Sequence, residues 1–257
     1  MTSGNKTAIV TGGLSGMGLA IARRLAKDGT TVFVGTRSAG DKKLVRDVLG
    51  ADVDHIQAAT LDVQSSDSVD AFVANVVATR RGVDILVNAA GVYEEAAVID
   101  HPDKIWEDQI NTNLSGTFRM IRAVMPHMKR AGWGRIINIA SVAAHNGMAN
   151  NAAYCASKAG LLGLGRCVGL EGAADGINCV SISPTWVETE MLRRFIDADM
   201  KATDQSLEQV RAEYAKSNPQ DQLVQPSEVA ELAAFLASDA ARALTMEDYQ
   251  INAGALW

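Results

Sequence analysis

Cysteine is scarce in this sequence and shows no pattern of a structural role. The 257 residues include three cysteines, Cys155, Cys167 and Cys179, and no two of them form a CxxC pair. An odd number of cysteines without such spacing argues against a disulfide framework and against a zinc site. The sequence therefore predicts no metal centre.

Excess positive charge and long hydrophobic runs are lacking as well. Lys and Arg number 24 against 30 Asp and Glu, so the net charge is −6. An acidic chain without basic runs is a poor ligand for nucleic acid or anionic membranes. No stretch approaches the roughly 18 apolar residues of a membrane span, and residues 1–6 are too short and polar for a signal-peptide core. We expect a cytoplasmic protein without nucleic-acid or membrane partners.

The overall composition is that of a globular protein. Hydrophobic residues make up 47% and charged residues 21% of the chain, and the length allows one large α/β domain or two small ones. No Pro/Ser-rich linker and no repeat divides the chain, so we predict a single domain over 1–257. After Pro184 the pattern becomes irregular, and we predict an irregular substrate-lid insertion over about 188–222, in which Ser206 and Gln209 could cap a helix.

Short β-branched runs alternate with longer helical patterns along the chain. Strands are predicted at 7–10, 31–34, 53–58, 84–87, 135–140, 177–182 and 249–252. Helices are predicted at 16–27, 41–49, 66–79, 103–128, 152–173 and 227–238. This alternation predicts an α/β fold, a single doubly wound Rossmann-type domain of about seven parallel strands with helices on both faces. Ligands bind such sheets at the carboxyl ends of the strands.

A glycine-rich turn follows the first predicted strand and opens the first helix. Gly12, Gly16 and Gly18 give a GxxxGxG spacing, with Leu14, Ser15 and Met17 between them. Glycines at such a junction permit a tight turn and close approach of a pyrophosphate, which the helix N-terminus then binds. The turn predicts a dinucleotide site.

The end of the second predicted strand bears on the choice of cofactor. An NAD site usually has a carboxylate there for the ribose 2′-hydroxyl, whereas this chain has Thr36, Arg37 and Ser38. A guanidinium matches a 2′-phosphate, so we favour NADP. Two alternatives remain open. Arg37 could be an ordinary solvated cation, and Thr36 and Ser38 could bind the ribose diol of NAD.

Three residues suggest proton-transfer chemistry. Tyr154 and Lys158 are four residues apart on a predicted helix and therefore share a face. A neighbouring ammonium would lower the pKa of a phenol, so that Tyr154 could exchange a proton with a substrate oxygen. Ser141 directly follows the fifth strand, at the ligand-binding edge, where it could polarise a carbonyl. Taken singly, the Tyr–Lys pair could arise by chance and Ser141 could be a turn residue.

These motifs together resemble the short-chain dehydrogenase/reductase family, in its single-domain form. The resemblance spans essentially the whole chain. It rests on Thr11-Gly12-xxx-Gly16-x-Gly18, Asp62-Val63, Asn88-Ala89-Ala90-Gly91, Asn113-Leu114, Ser141, Tyr154-xxx-Lys158 and Pro184-xxxx-Thr189. It implies hydride transfer between NAD(P)(H) and a ketone or secondary alcohol, with NADP favoured here by Arg37. NAD-dependent alcohol oxidation and a dinucleotide-binding protein without catalysis are the alternatives.

The resemblance also implies roles for individual residues. Tyr154 would act as general acid or base, Lys158 would lower its pKa and hold the nicotinamide ribose, and Ser141 would orient the carbonyl. Asn113 would hold a water of a proton relay, and Asn88 would brace the central strands. The remaining implied cofactor contacts are Asp62, Val63, Ala90, Gly91, Pro184, Val187 and Thr189. A homotetramer or dimer, formed through the helix of Tyr154 and its neighbour, is implied too.

Within the family the chain is similar to 3-oxoacyl-ACP reductases and 3-hydroxybutyrate dehydrogenases. The loop 142–153 contains no Lys or Arg, which disfavours a small hydroxy acid and favours an apolar or aromatic substrate. The candidate pocket residues are Tyr93, Ala143, His145, Met148, Asn151, Trp186, Met191 and Leu192. His145 could equally be a polar loop residue, and Glu94 and Glu95 are interpreted as a solvated edge.

The chain departs from the family pattern at four places. Ala89 and Thr185 stand where the family usually has Asn and Gly, Met246 where Gly usually follows Thr, and Ala253-Gly254 in place of a Gly-Gly pair. Local packing near the C-terminus is in doubt for this reason.

Overall fold

A computed structural model describes residues 6–50, 52 and 55–255. Seven parallel strands form one sheet in the order β3-β2-β1-β4-β5-β6-β7. The strands are β1 (Thr7–Thr11), β2 (Thr31–Thr36), β3 (Ile56–Thr60), β4 (Ile85–Asn88), β5 (Gly134–Ile139), β6 (Ile177–Pro184) and β7 (Asp248–Ile251). The helices are α1 (Gly16–Lys27), α2 (Lys42–Leu49), α3 (Ser66–Arg80), α4 (Asp103–Gln109), α5 (Gly116–Ala131), α6 (Ala152–Gly172), α7 (Glu190–Thr203), α8 (Leu207–Lys216) and α9 (Pro226–Leu236). The prediction of a doubly wound parallel sheet is confirmed.

Alternate residues of the central strands enter two separate hydrophobic cores. In β1, Ala8 and Val10 belong to the core that includes α1 and α9, whereas Ile9 belongs to the core that includes α3 and α5. A strand buried on both faces has apolar residues at consecutive positions instead of alternating with polar ones. This explains why the predicted strands appeared as short continuous apolar runs.

Most predicted element ends lie within one to three residues of those observed. The third strand shows one of the largest differences, since β3 begins at Ile56 whereas the prediction began at 53, outside the described residues. Both β2 and β6 continue two residues beyond their predicted ends, to Thr36 and Pro184. The extension of β6 is supported by pairing with β7, in which Pro184 lies opposite Ile251.

The predicted irregular insertion at 188–222 contains two regular helices, so that expectation is corrected. Helices α7 and α8 occupy most of it, because Leu192 and Ile196 of α7 pack against Val210 and Leu223 in a small core of their own. Ser206 and Gln209 form the capping box that begins α8, as the sequence suggested. The high charge of this segment concealed the four-residue spacing of its few buried positions.

A π-helical stretch, Ile110–Ser115, joins α4 to α5 without a break. Asn113 lies within it and is 1% exposed. Such stretches are frequent at functional sites, because the extra residue per turn redirects side chains. Among the described residues no helix is long and apolar enough to cross a membrane, and the cytoplasmic location stays a prediction.

The C-terminal departures from the family pattern are accommodated locally. Met246 adopts a left-handed backbone with φ of 64°, which usually favours glycine, and its amide donates to the Cys179 carbonyl at 2.7 Å. Its side chain fills the space that a Cβ on Gly169 of α6 would need, with Cγ only 2.4 Å from that position. The missing glycine therefore leaves the end of the sheet intact.

Thr11 joins β1 to the turn that follows β4. Its Oγ1 accepts hydrogen bonds from the amides of Ala89 and Ala90 at 3.1 and 3.0 Å, and the residue is 1% exposed. Because Ala89 contributes only its amide here, the absence of the family's Asn at this position does not affect the contact. One hydroxyl therefore aligns the ends of the two central strands.

We expect Thr11→Val to lower the free energy of unfolding by about 1–3 kcal/mol, since two buried amides lose their acceptor while the shape is kept. Thr11→Ser retains the hydroxyl and serves as the matched control, with a smaller loss from the missing methyl group. Urea denaturation of the three proteins measures the difference. Equal stability of the Val and Ser variants would contradict this role.

Candidate active site

The glycine turn after β1 has the geometry that a dinucleotide requires. Gly12 has φ of +67°, and a Cβ there would lie 3.0 Å from the Ala90 Cα. A Cβ on Gly18 would come within 2.5 Å of the Gly12 carbonyl. Gly16 has φ of +49° and begins α1. Side chains at these positions would close the approach to the helix N-terminus, so the turn fits a pyrophosphate.

A polar cavity lies at the carboxyl ends of β1 to β4. Of the predicted cofactor residues, Gly12, Ser15, Thr36, Arg37, Asp62, Val63, Ala90 and Gly91 line it. Sequence reasoning missed Gly35, Leu61, Gln64, Val92 and Thr112, which line it too. Gly35, Leu61, Gln64 and Val92 lie at or shortly after strand ends, and that position was the signal that could have found them. Thr112 lies in the helical segment Ile110–Ser115, where no such signal exists in the sequence.

Several predicted cofactor residues lie elsewhere. Leu14 is buried in the core that includes α1 and α9, and Asn88 donates its amide to Asn138 Oδ1 at 2.9 Å, which braces β4 against β5. Ser38 lies near this cavity, with its hydroxyl 3.3 Å from Thr36 Oγ1, but does not line it. Leu14 and Asn88 thus support the site from the interior of the fold.

Arg37 is an exposed cation at the wall of the polar cavity. It has no ion pair with any carboxylate of the described residues, and it also lines an adjoining cleft beside α4. A guanidinium not engaged by the protein is available to an anionic ligand at this position.

Ser141, Tyr154 and Lys158 meet at the carboxyl end of β5. Ser141 forms a hydrogen bond with the Tyr154 hydroxyl, and its Oγ also accepts from the Ala143 amide at 3.1 Å. Lys158 Nζ donates to the Ile139 carbonyl at 2.8 Å and lies 5.5 Å from the centre of the Tyr154 ring. The predicted proton-transfer group is therefore assembled in space.

The protonation states in this arrangement differ from the expectation. Burial raises the pKa of Tyr154 to about 12, which the hydrogen bond with Ser141 offsets only in part. Burial lowers the pKa of Lys158 to about 8. The expected lowering of the pKa of Tyr154 by Lys158 is thus corrected, because loss of solvation at the phenol is the dominant effect. Tyr154 is therefore a protonated phenol at neutral pH.

The Asn113 side chain is fully engaged in the protein. Its Oδ1 accepts from the Val92 amide at 2.8 Å, and its Nδ2 donates to the Val92 carbonyl at 3.0 Å and to Ser157 Oγ at 3.1 Å. These bonds fix the turn after β4 against α6. The relay role that the resemblance implied for Asn113 stays a prediction.

A second, apolar cavity opens beside Ser141 and Tyr154. The predicted pocket residues Tyr93, Ala143, Met148, Trp186, Met191 and Leu192 line it, as do the predicted cofactor residues Met17, Pro184, Val187 and Thr189. Phe195 also lines it and was missed, because it lies in the segment expected to be irregular. None of the residues that line this cavity carries a charge, so the cavity suits an apolar substrate.

Two predicted pocket residues lie outside this cavity. His145 places Nε2 2.7 Å from Asp248 Oδ2 in β7, which joins its loop to the sheet edge. Asn151 precedes α6 and donates its Nδ2 to the Ala149 carbonyl at 2.7 Å. Both belong to the loop between Ser141 and Tyr154, and sequence proximity alone could not show which way they point. The alternative interpretation of His145 as a polar loop residue fits this placement.

Three side chains attach the segment after β6 to α8 and to Asn218, which follows α8. Thr185 Oγ1 donates to Asn218 Oδ1 at 3.0 Å, and the Trp186 ring packs edge-on against Tyr214. Arg211 contacts both oxygens of Glu188, at 2.8 and 2.9 Å. The hydrogen bonds from Arg211, and a further one from Gln225, lower the pKa of Glu188 to about 2. The unusual Thr185 thus has a structural partner.

Several known proteins are similar to this chain in sequence. A family model described as short chain dehydrogenase matches residues 6–200. The chain is 37% identical over 254 residues to a ketoacyl reductase named for the monensin polyketide synthase of Streptomyces virginiae, covering 98% of this chain and 97% of that protein. It is 34% identical over 256 residues to the D-β-hydroxybutyrate dehydrogenase of Cupriavidus necator, covering 98% and 95%.

The chain belongs to the short-chain dehydrogenase family. Among solved structures, an actinorhodin polyketide ketoreductase variant with NADPH superimposes with a TM-score of 0.91, at 37% identity, over 98% of this chain and 97% of that one. The predicted family, and its reaction class of oxidoreductases acting on CH–OH groups, are confirmed for this short-chain dehydrogenase.

The buried Lys158 predicts a specific pH dependence of stability. Its pKa is about 8 in the folded protein, against 10.5 for an ordinary solvated lysine, so between these values the unfolded chain binds a proton that the native protein lacks. We expect the free energy of unfolding of the wild type to rise relative to Lys158→Met between pH 8 and 10, by up to about 1.4 kcal/mol per pH unit.

Urea denaturation at pH 7, 8, 9 and 10 measures this difference. Lys42→Met, which removes an exposed lysine, is the control. Parallel pH curves for the wild type and Lys158→Met would contradict the assignment.

Proposed function

We propose that this short-chain dehydrogenase interconverts an apolar or aromatic ketone and the corresponding secondary alcohol with NADP(H). The main observation in support of this proposal is that the apolar cavity opens directly onto Ser141 and Tyr154. At the same edge of the sheet, a polar cavity ends at an unpaired guanidinium. Ligands of doubly wound sheets bind at this edge.

The residues present fit a dinucleotide. The glycine turn would take the pyrophosphate, Asp62 and Val63 would lie beside the adenine, and Arg37 would bind a 2′-phosphate. Val187 and Thr189 line the apolar cavity, and a Cβ at Gly16 would lie 3.3 Å from Thr189 Cγ2, so this segment reaches the glycine turn. When bound, the nicotinamide supplies or accepts the hydride.

The chain's own residues provide binding and proton transfer. Ser141 would donate a hydrogen bond to the substrate carbonyl and hold its oxygen near the Tyr154 hydroxyl. Because the pKa of Tyr154 is raised to about 12, its phenol keeps its proton until negative charge develops on that oxygen, and it then donates. In alcohol oxidation the same atoms act in reverse.

The NAD-dependent alternative lacks a carboxylate at the end of β2, where Thr36 and Ser38 offer only hydroxyls. The non-catalytic alternative is disfavoured by the intact group of Ser141, Tyr154 and Lys158. A small hydroxy acid is disfavoured as a substrate, because no cation lines the apolar cavity.

We also propose that α7 forms a substrate lid and that the protein forms a dimer or tetramer. Helix α7 carries Met191, Leu192 and Phe195 over the apolar cavity, which suits a substrate lid. Phe118 of α5 and Leu170 of α6 are 46% and 70% exposed. Large apolar side chains on these neighbouring helices fit the dimer or tetramer that the family implies.

We expect Tyr154→Phe to reduce turnover of ketones by at least about 100-fold, because the proton donor is lost. NADPH binding by calorimetry should remain within a few-fold of wild type, since the ring is retained. Initial rates across a panel of apolar ketones provide the measurement. Turnover retained in this variant would refute the mechanism.

Replacement of Arg37 tests the choice of cofactor. We expect Arg37→Ala to weaken NADPH binding by about 10- to 100-fold, the effect of a lost charge-assisted hydrogen bond, and to leave NADH binding unchanged. Arg46→Ala removes an exposed arginine of α2 that lines neither cavity and is the matched control. Tighter binding of NADH than of NADPH by the wild type would favour the NAD alternative.

A further inference from the structure

Four aromatic rings form a continuous chain beside the proton donor. The Tyr154 and Tyr93 rings have centroids 4.8 Å apart at 76°, and those of Tyr93 and Phe195 are 4.9 Å apart at 88°. Phe195 then contacts Trp186 at 6.0 Å and 64°. The four residues come from α6, the turn after β4, α7 and the segment after β6, and all four line the apolar cavity.

Neighbouring residues hold the two middle rings of this chain, those of Tyr93 and Phe195, in place. The Tyr93 hydroxyl donates to Glu95 Oε1 at 2.6 Å, so its outer end is fixed. Glu95 was interpreted as a solvated edge, and its contact with Tyr93 gives it a structural role. Phe195 lies between Leu192 and Ile196 of α7, which are 3% and 4% exposed and anchor the helix in its own core.

The nearly perpendicular rings of Tyr93 and Phe195 favour an aromatic ligand over a saturated one. Tyr93 and Phe195 meet edge to face, so together they can present both a ring face and a ring edge to the cavity. Aromatic pairs at such spacing gain interaction energy beyond area burial, because the electron-rich face attracts the positively polarised edge. A saturated ring of similar size fills the same volume without this gain. The position beside Tyr154 places such a guest next to the reacting carbonyl.

We propose that Phe195, acting with Tyr93, is a specificity-determining residue that selects ketones whose carbonyl is bonded to an aromatic ring. This inference rests on the proposed function and narrows its substrate class from apolar or aromatic to aromatic. Phe195 contacts the substrate, whereas Glu95 acts through Tyr93 as a positioning residue.

A pair of ketones that differ only in ring saturation tests the inference. Acetophenone and cyclohexyl methyl ketone are to be reduced with NADPH by the wild type, Phe195→Leu and Phe195→Trp. We expect the wild type to prefer acetophenone in kcat/KM by about three- to tenfold. Phe195→Leu should bring this ratio towards one, and Phe195→Trp should retain most of it.

Phe235→Leu is the matched control, because it makes the same change on α9 outside the apolar cavity, and it should keep the wild-type ratio. Binding of both ketones to the NADPH-loaded Tyr154→Phe variant, with and without Phe195→Leu, gives a readout independent of turnover. Equal ratios in the wild type and Phe195→Leu, in rate and in binding, overturn the inference while the proposed function stands.

Failure of the proposed reaction can be distinguished from failure of the aromatic selectivity. If neither ketone is reduced but acetophenone still binds more tightly in a Phe195-dependent way, the reaction assignment fails and the aromatic selectivity holds. If neither ketone is reduced and their binding is equal, both proposals fall.

Discussion

The parallel pairing of β1 with β4 is the constraint on which the rest of the site depends. Thr11 lies opposite Asn88 at the ends of these strands, and its hydroxyl binds the two amides that follow β4. From this point the chain crosses to β2 and β3 on one side and to β5, β6 and β7 on the other. A crevice opens where the order reverses, because the connections leave in opposite directions. The polar and apolar cavities both lie at this edge.

Burial sets the chemistry at this edge. Partial burial of Tyr154 at the cavity wall and nearly complete burial of Lys158 disfavour both of their charged forms, which raises the pKa of Tyr154 and lowers that of Lys158. The protein thus holds a neutral phenol next to a lysine whose charge is not strongly favoured. This arrangement suits the acid role proposed for Tyr154. Loss of solvation at Lys158 lowers the stability of the fold. The buried position of this lysine is therefore better explained by a functional role than by folding.

The helices after β6 determine what the apolar cavity can accept. Contacts of Thr185, Trp186 and Glu188 attach the segment after β6 to α8 and to Asn218, which follows it. Helix α7, between that segment and α8, then presents Phe195 to Tyr93. Helix α7 contributes to the wall of the apolar cavity without belonging to the central sheet.

The sequence by itself determined the fold class, most elements and the grouping of Ser141, Tyr154 and Lys158. Buried strands appear as local apolar runs, and the glycine turn, Ser141 and the Tyr154–Lys158 pair follow from spacing along one or two elements. Tertiary structure alone decided the burial of Tyr154 and Lys158, the contact of His145 with Asp248, the burial of Asn151 and the position of Phe195. Desolvation depends on every element packed around a group, and the direction of a loop side chain depends on partners such as Asp248, 103 residues away. Helix α7 is stabilised by contacts with α8 and Leu223 rather than by its own sequence pattern. The place of Phe195 in the wall of the apolar cavity therefore could not be predicted from the sequence.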